Sequence, residues 1–407
     1  MTVQGTARVL IVAGEASGDL YGGLLMQAMR GTDAEDRAGP GRADARPVRF
    51  TGVGGPSMLA AGLDPLGDAA TIGVTGLFEV VGRLGAIWRA YRSARAVLAG
   101  GGNARPDLVV LIDYPDFNLR LARRARAAGV PVLYFVGPQV WAWRKGRMRQ
   151  IARTVDRMLL ILPFEEELYR SAGVAAEFVG HPLLDLVRTS RTREQTLGPL
   201  GLDPRGATVA LLPGSRTNEI RAHLPIMLGA ARILREEFRD LQFVIPLAPT
   251  IRAAELDLGL AVETDGGPRP VLVRDDRYDA LAACDAAVVA SGTATLETAL
   301  LGVPMVIVYR MNPLTYALAR SVSDVPHIGM ANLIAGRRVV PELVQRECRP
   351  ERVAAEIRRI LTDTRAADEM RRGLAGVRAK LGRPGAIARA AETAWSMIGA
   401  ARGEARS

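Results

Sequence analysis

Short apolar runs recur along the chain, each followed by a longer stretch in which apolar residues return every three or four positions. The runs at 8–13, 49–53, 108–112, 131–136 and 158–162 are almost unbroken, which suits strands covered on both faces. The same alternation restarts after position 200 and predicts strands at 207–212, 242–247, 271–273, 286–289 and 305–308. Strands that alternate with helices build parallel sheets, so the expected fold class is α/β: two doubly wound, Rossmann-like domains facing a cleft. The first domain is expected over 1–185 and the second over 207–382, with a linker at 186–206 that is polar and rich in Arg, Thr, Gly and Pro. Residues 383–407 read as a final helix and tail, placed to cross back to the first domain. A Gly, Ala, Asp and Arg stretch at 32–47 reads as a surface insertion, and 99–105 as a flexible loop.

Size and composition agree with two cores. The chain has 407 residues, 48% of them apolar and 24% charged, which excludes a disordered protein. Its 53 basic and 43 acidic side chains give a net charge of +10. Nearly all the basic residues are arginine, the lysines being Lys145 and Lys380. GC-rich codon usage accounts for most of that bias. Arginine also presents a planar fork suited to phosphate, which keeps nucleotide, anionic lipid and nucleic acid in view. Cations scattered through helices, without an aromatic-studded sheet, argue against nucleic acid. Cys284 and Cys348 are too few for a disulfide framework and lack metal-ligand spacing, so a reducing cytoplasm is expected. No Asp-x-Asp occurs, and no metal or cofactor is expected. No run reads as a transmembrane helix or signal peptide, so any membrane contact is expected to be peripheral.

Four strand-to-helix turns carry candidate chemistry. Gly14-Glu15-Ala16-Ser17-Gly18-Asp19 follows the first strand and can lay backbone amides against a ligand; a purely structural tight turn is the plainer alternative. Asp113-Tyr114-Pro115-Asp116-Phe117-Asn118 follows the third strand. Two carboxylates three apart can raise one pKa by repulsion and supply a base, or Asp116 or Asn118 can merely cap the next helix. We assign the cap to Asp116 and the chemistry to Asp113, which lies closest to the strand end. In the second domain, Gly214, Ser215 and Arg216 form a phosphate-type turn. The turn at Ser291, Gly292 and Thr293 offers a second phosphate edge, with Glu297 one helical turn further on, where it can accept ribose hydroxyls. Two such turns in one domain favour a nucleoside diphosphate. His181 is read as a hinge residue, and His223 and His327 receive no role.

Residues 73–91 place Leu77, Val81, Leu84 and Trp88 at helical spacing. Packing into the first core explains that face, but Ile72, Val74 and Phe78 add more apolar surface than one face needs, which suits acyl chains. Trp141 and Trp143 stand beside Arg144, Lys145 and Arg147, a pairing suited to a membrane interface or a lipid phosphate.

As an ordered set, Gly-Glu-Ala-Ser-Gly-Asp, Asp-Tyr-Pro-Asp-Phe-Asn, Val-Trp-Ala-Trp-Arg, Val-Gly-His-Pro, Leu-Pro-Gly-Ser-Arg, Ser-Gly-Thr-Ala-Thr-Leu-Glu and Ala-Asn-Leu-Ile-Ala-Gly closely resemble the lipid A disaccharide synthases, from Gly14 to about Gly336. The resemblance implies a metal-independent, inverting glycosyltransferase of GT-B fold from a Gram-negative organism. It would join UDP-2,3-diacylglucosamine to 2,3-diacylglucosamine 1-phosphate, giving the β-1′,6-linked disaccharide and UDP. By position, Asp113 matches the family's essential aspartate, Arg216 its essential arginine, Glu297 and Asn332 the nucleotide side, and Gly14, Glu15, Ser17 and Gly18 the first substrate-binding turn. The first domain would then take the acceptor and the membrane, and the second the UDP-sugar. The chain departs from the family pattern in the 32–47 insertion and in Met330-Ala331 before Asn332, where a proline is common. Implied partners are the two lipid sugars and an anionic membrane surface, with the protein cytoplasmic and peripheral on the inner face of the inner membrane; a homodimer is left open. A sugar-nucleotide 2-epimerase of the same architecture is the alternative.

Overall fold

The computed structural model describes residues 5–31, 47–66, 79–100, 105–140, 145–248, 251, 269–322 and 325–403. The chain divides into two compact units, Met1–Pro182 with Arg383–Ser407, and Leu183–Gly382. Most of the expected insertion at 32–47 and the centre of the loop at 99–105 lie outside the described residues.

The first unit is built on β1 (Ala7–Ala13), β2 (Val48–Val53), β3 (Asp64–Pro65), β4 (Leu108–Ile112), β5 (Val132–Phe135), β6 (Arg157–Leu160) and β7 (Ala176–Phe178). They form one sheet in the order β3-β2-β1-β4-β5-β6-β7, parallel throughout. The second unit carries β8 (Thr208–Leu212), β9 (Gln242–Pro246), β10 (Val271–Val273), β11 (Ala286–Ala290), β12 (Met305–Tyr309) and β13 (Glu342–Val344), in the order β10-β9-β8-β11-β12-β13, also parallel. Both sheets wind outward from a central strand, the doubly wound arrangement expected from the alternation of patterns. β3, β7 and β13 were not anticipated, because two or three residues carry too short an apolar run to register.

The winding reverses between β1 and β4 in one sheet and between β8 and β11 in the other. At each reversal the strand ends are level: Ala13 lies opposite Ile112, and Leu212 opposite Val289. β4, β8 and β11 are buried along their whole length. Helices must therefore cover both faces, and the exposed turns gather at the sheet edges.

The carboxyl-terminal helix Ala386–Ala401 returns to the first unit and packs on the helix Ala16–Arg30. Trp395 Nε1 donates to the Met29 carbonyl at 3.2 Å, and Arg389 Nη2 to the Val179 carbonyl at 2.7 Å. The segment expected as a linker is ordered by a capping box at Thr192 and Gln195. Arg193 fastens it to the second unit through Asp285 and the carbonyls of Ala283, Pro204 and Gly206.

The last described turn is held by Arg402. Its Nε and Nη2 donate to the two Asp107 carboxylate oxygens at 3.0 and 2.8 Å, while Nη1 and Nη2 reach the carbonyls of Gly5 and Thr6. Burial pushes the Asp107 carboxyl up, but the bonds from Arg402 and the Arg8 amide outweigh it and hold the group below the usual range. That contribution is present above the unfolded value and is lost as pH falls below about 4. Arg402→Met is expected to lower stability by about 1–3 kcal/mol in chemical denaturation at pH 7, with a smaller difference from the parent at pH 3.5. Equal differences at the two pH values would show that the Asp107 pair is not the source.

Candidate functional site

In open parallel sheets, ligands bind outside the carboxyl ends of the strands where the winding reverses. The two reversals are where the sequence placed its candidate turns. In the first unit the Gly14 turn follows β1 and the Asp113 turn follows β4, its neighbour. A Cβ on Gly14 would stand 2.2 Å from Cγ of the Tyr114 ring, so glycine is what lets the two turns meet. Tyr114 stacks on Phe117 with centroids 5.5 Å apart. Gly18 packs on Ile112, while Glu15 and Ser17 are half-buried at the start of the helix. Asp19, the last residue of that turn, accepts from the amides of Gly55, Ser57 and Met58 and so pins it to the turn after β2.

The backbone here is strained. Asp113 and Tyr114 take φ of 46° and 47°, and Val136, at the end of β5, takes 63°. Left-handed values in non-glycine residues cluster at functional sites, and for a branched residue such as valine they are exceptional. Tyr134 and Asn118 hold the conformation: the Tyr134 hydroxyl donates to the Asp113 carbonyl at 2.5 Å, and Asn118 Nδ2 donates to the same oxygen at 2.7 Å and to Ile112 at 3.2 Å. Asn118 is fully buried and its Oδ1 has no hydrogen-bond partner among the described residues.

Burial raises the Asp113 carboxyl to about 7, with Glu15 adding repulsion and the Tyr114 amide opposing it. The raised value was anticipated, but its cause differs. Asp116 is not the repelling partner; it is exposed and paired with Arg147. Nor does Asp116 cap the following helix, whose N-cap is Tyr114 with no side-chain bond.

In the second unit, Gly214, Ser215 and Arg216 follow β8, and Gly292 and Thr293 follow the adjacent β11. The first turn holds an anion of its own. Glu219 Oε2 accepts from the Ser215 amide at 2.9 Å and Oε1 from Arg216 Nη1 at 3.0 Å. The Arg216 side chain is still 45% exposed. The second turn is open: Gly292 and Thr293 are exposed, Gly292 has φ 153° with empty space where a Cβ would stand, and no side chain caps the helix Thr293–Leu300.

Glu297 is buried, and its Oε1 accepts from the Tyr278 hydroxyl at 2.8 Å and Arg277 Nη2 at 3.0 Å. Asn332 is fully buried and is spent inside the protein. Its amide donates to Val340 and to Glu342 Oε1, and its oxygen accepts from the amides of Val339 and Val340. In this arrangement both amide hydrogens and both lone pairs of the Asn332 side chain are engaged within the protein, one of them on Glu342. Glu342 in turn accepts from the amides of Ile328 and Gly329, and Ser291 Oγ donates to the Ile328 carbonyl, which joins this group to the β11 turn. Among the described residues, no three His, Cys, Asp or Glu side chains gather as metal ligands.

Of the apolar segment, Ile72, Val74, Leu77, Phe78, Trp141 and Trp143 lie outside the described residues, and only the backbone of Val81 and Leu84 is described, in the helix Glu79–Ala99. Trp88 is 58% exposed beneath the Arg92 guanidinium, 4.6 Å from its ring centroid, while Ala90, Ala94 and Leu98 form the buried face.

Two units, each a parallel sheet wound outward from a central strand, with phosphate-type turns at the reversal in the second, define the GT-B class of sugar-nucleotide enzymes. Comparison with solved structures supports that fold. MurG from Acinetobacter baumannii superposes with a TM-score of 0.56 at 14% identity over 96% of this chain and 99% of that one. The UDP-GlcNAc 2-epimerase from Neisseria meningitidis, bound to UDP-GlcNAc, gives 0.61 at 11% identity over 96% and 100%. The family model for lipid-A-disaccharide synthetase matches residues 9–386, and the chain belongs to that family. The lipid-A-disaccharide synthase of Syntrophus aciditrophicus is 49% identical over 96% of this chain and 97% of its own length, and that of Geobacter metallireducens 45% identical over 97% and 98%.

The left-handed Asp113 and its pKa are open to a direct check. A carboxyl raised from its unfolded value to about 7 costs stability progressively as pH rises across that interval. Asparagine tolerates the same backbone without the charge. Asp113→Asn is therefore expected to raise the melting temperature more at pH 8 than at pH 4. An equal shift at both would show that the Asp113 carboxyl is not desolvated.

Proposed function

We propose that this chain is an inverting glycosyltransferase that moves a 2,3-diacylglucosaminyl group from UDP to the 6-hydroxyl of 2,3-diacylglucosamine 1-phosphate. Membership of the lipid-A-disaccharide synthetase family carries the reading, and relatives at 44–49% identity bear the name lipid-A-disaccharide synthase. A UDP-sugar donor and a phosphorylated sugar acceptor follow from that name. The epimerase likeness rests on structures 11–13% identical and extends to the fold alone.

In the reaction the acceptor oxygen attacks C1 as the bond from C1 to the β-phosphate oxygen breaks, so an α-linked donor gives a β product. The acceptor proton passes to Asp113. A base whose pKa lies near 7 is partly ionised at neutral pH and still basic enough to take that proton. Negative charge collects on the departing UDP, where Arg216 and the backbone amides at Gly292 and Thr293 would receive it. Glu297, its Oε1 held by Arg277 and Tyr278, would accept the ribose hydroxyls. The first unit would bind the acceptor through the turn at Gly14, Glu15, Ser17 and Gly18, and the second the UDP-sugar. The defining experiment incubates the purified protein with both lipid precursors and measures the disaccharide and UDP by mass. Asp113→Asn is expected to lower turnover by about 10²- to 10⁴-fold; near-parental turnover would remove Asp113 from the chemistry.

Acyl sugars reside in membranes, so the enzyme would work as a peripheral protein on an anionic bilayer. No helix among the described residues is long and apolar enough to cross one. Trp88 with Arg89, Arg92 and Arg95 beside it has the pairing of ring and cations that favours the interface. Trp88→Ser is expected to reduce sedimentation with anionic vesicles while the melting temperature stays within about 1 °C, as for a surface change. Unchanged sedimentation would move the docking face elsewhere.

A further inference from the structure

His223 is 1% exposed, lies on the helix Thr217–Glu237 and belongs to none of the motifs that suggested the function. Both of its ring nitrogens are used. Nδ1 lies 3.1 Å from the Pro213 carbonyl oxygen, and the Arg310 amide donates to Nε2 at 3.0 Å. A carbonyl can only accept and an amide only donate, so the ring must be neutral with its proton on Nδ1. Pro213 immediately precedes Gly214 at the end of β8, and Arg310 immediately follows β12. In the sheet, β11 lies between those two strands. The imidazole thus spans the end of β11, where the Gly292 turn emerges, and couples the chain on its two sides.

We infer that His223 is a positioning residue of the donor site: a neutral imidazole strut that holds the 213–216 turn in register with the β12 exit, so that Arg216 and the Gly292 amides present a fixed spacing to a nucleoside diphosphate. The inference rests on the reading that the diphosphate binds at these two turns. Protonation undoes the strut, because an Nε2–H would face the Arg310 N–H, donor against donor. The groups around the ring act in both directions. Burial is the largest influence and disfavours the charged form; the Pro213 carbonyl and Glu219, on the same helix, favour it, and the Arg310 guanidinium opposes it. The Tyr309 ring lies 6.3 Å away on β12. The balance leaves His223 below its ordinary value of 6.5, so the strut is intact at neutral pH and fails on acidification.

The test is UDP binding by calorimetry between pH 7.5 and 5, with donor and acceptor kinetics, on the full-length protein and two variants. His223→Phe keeps the ring and removes both bonds. It is expected to weaken UDP about tenfold at pH 7.5 and to raise the donor KM, with the acceptor KM unchanged. His223→Gln keeps one donor and one acceptor but cannot protonate. It is expected to bind UDP within about threefold of the parent at pH 7.5 and to lose less affinity than the parent on acidification; the ionisation of UDP itself is common to both and cancels in the ratio. Parental affinity in His223→Phe, or the same acid loss in His223→Gln as in the parent, would overturn the inference. An equal rise in both KM values would do so too, since it would make His223 merely structural. If His223→Phe does not fold, the pH comparison of His223→Gln with the parent decides alone. Failure of the unaltered protein to bind UDP at all would instead overturn the donor-site reading, and with it the strut's purpose.

Discussion

A parallel sheet forces every strand to leave from the same edge, and winding it outward from a central strand leaves one place where two neighbouring strands send their chains to opposite faces. The rest of this molecule depends on that constraint, met twice. Between β1 and β4, and again between β8 and β11, the strand ends are level and their turns diverge. The crevice between diverging turns is where backbone amides and short side chains can converge on a ligand without competing with helix packing. The completely buried strands β4, β8 and β11 make register costly to change, because a slip of one residue would break packing on both faces.

The two reversals use this setting differently. In the first unit the chain accepts local strain. Consecutive left-handed residues at Asp113 and Tyr114, and a third at Val136, cost on the order of 1–3 kcal/mol each. The Tyr134 hydroxyl, the Asn118 amide and the Tyr114–Phe117 stack hold the first two in place. Beside this strained turn, where a Cβ on Gly14 would meet the Tyr114 ring, burial raises the Asp113 carboxyl. In the second unit the turns are glycine-based at Gly214 and Gly292, and side chains brace the chain around them: Glu219 within the first turn, His223 between Pro213 and Arg310, and Glu342 on the amides of Ile328 and Gly329.

Much of this was legible in the sequence, and what was missed shares a physical cause. Unbroken Val, Ile and Leu runs announced the buried strands, and the residues directly after them were the candidate turns. The reversal points followed only from strand order, which periodicity does not carry. Asp113 stood out because it ends a strand, yet the reason for its pKa was invisible: Glu15 is 98 residues earlier in the chain, and burial is a property of packing. The spacing of Asp113 and Asp116 suggested repulsion between them, but Arg147, on another element, takes Asp116 away. Asn332 was marked by its motif and proved to be held entirely by backbone and Glu342, a long-range partnership no local pattern records. His223 looked like an unremarkable position inside a helix because both of its partners come from strand ends elsewhere in the sheet.

The contrast between the two second-unit turns bears on how a diphosphate could be held. Glu219 already supplies the Gly214 turn with a carboxylate, bonded to the Ser215 amide and to one arm of Arg216. A second anion brought to the same amide would face Glu219 at close range, and Arg216 would have to be shared between them. Among the described residues no carboxylate bonds the Gly292 turn, its first residues are exposed, and the helix behind it directs the positive end of its dipole outward. Charge arriving at this edge is therefore better received first by the Gly292 and Thr293 amides. Arg216 would then approach from the side, one arm of its guanidinium held by Glu219 and its side chain still 45% exposed. On that view Glu219 would fix the direction of Arg216 much as His223 is inferred to fix its distance, and the site would be prepared for a doubly charged leaving group before one is present.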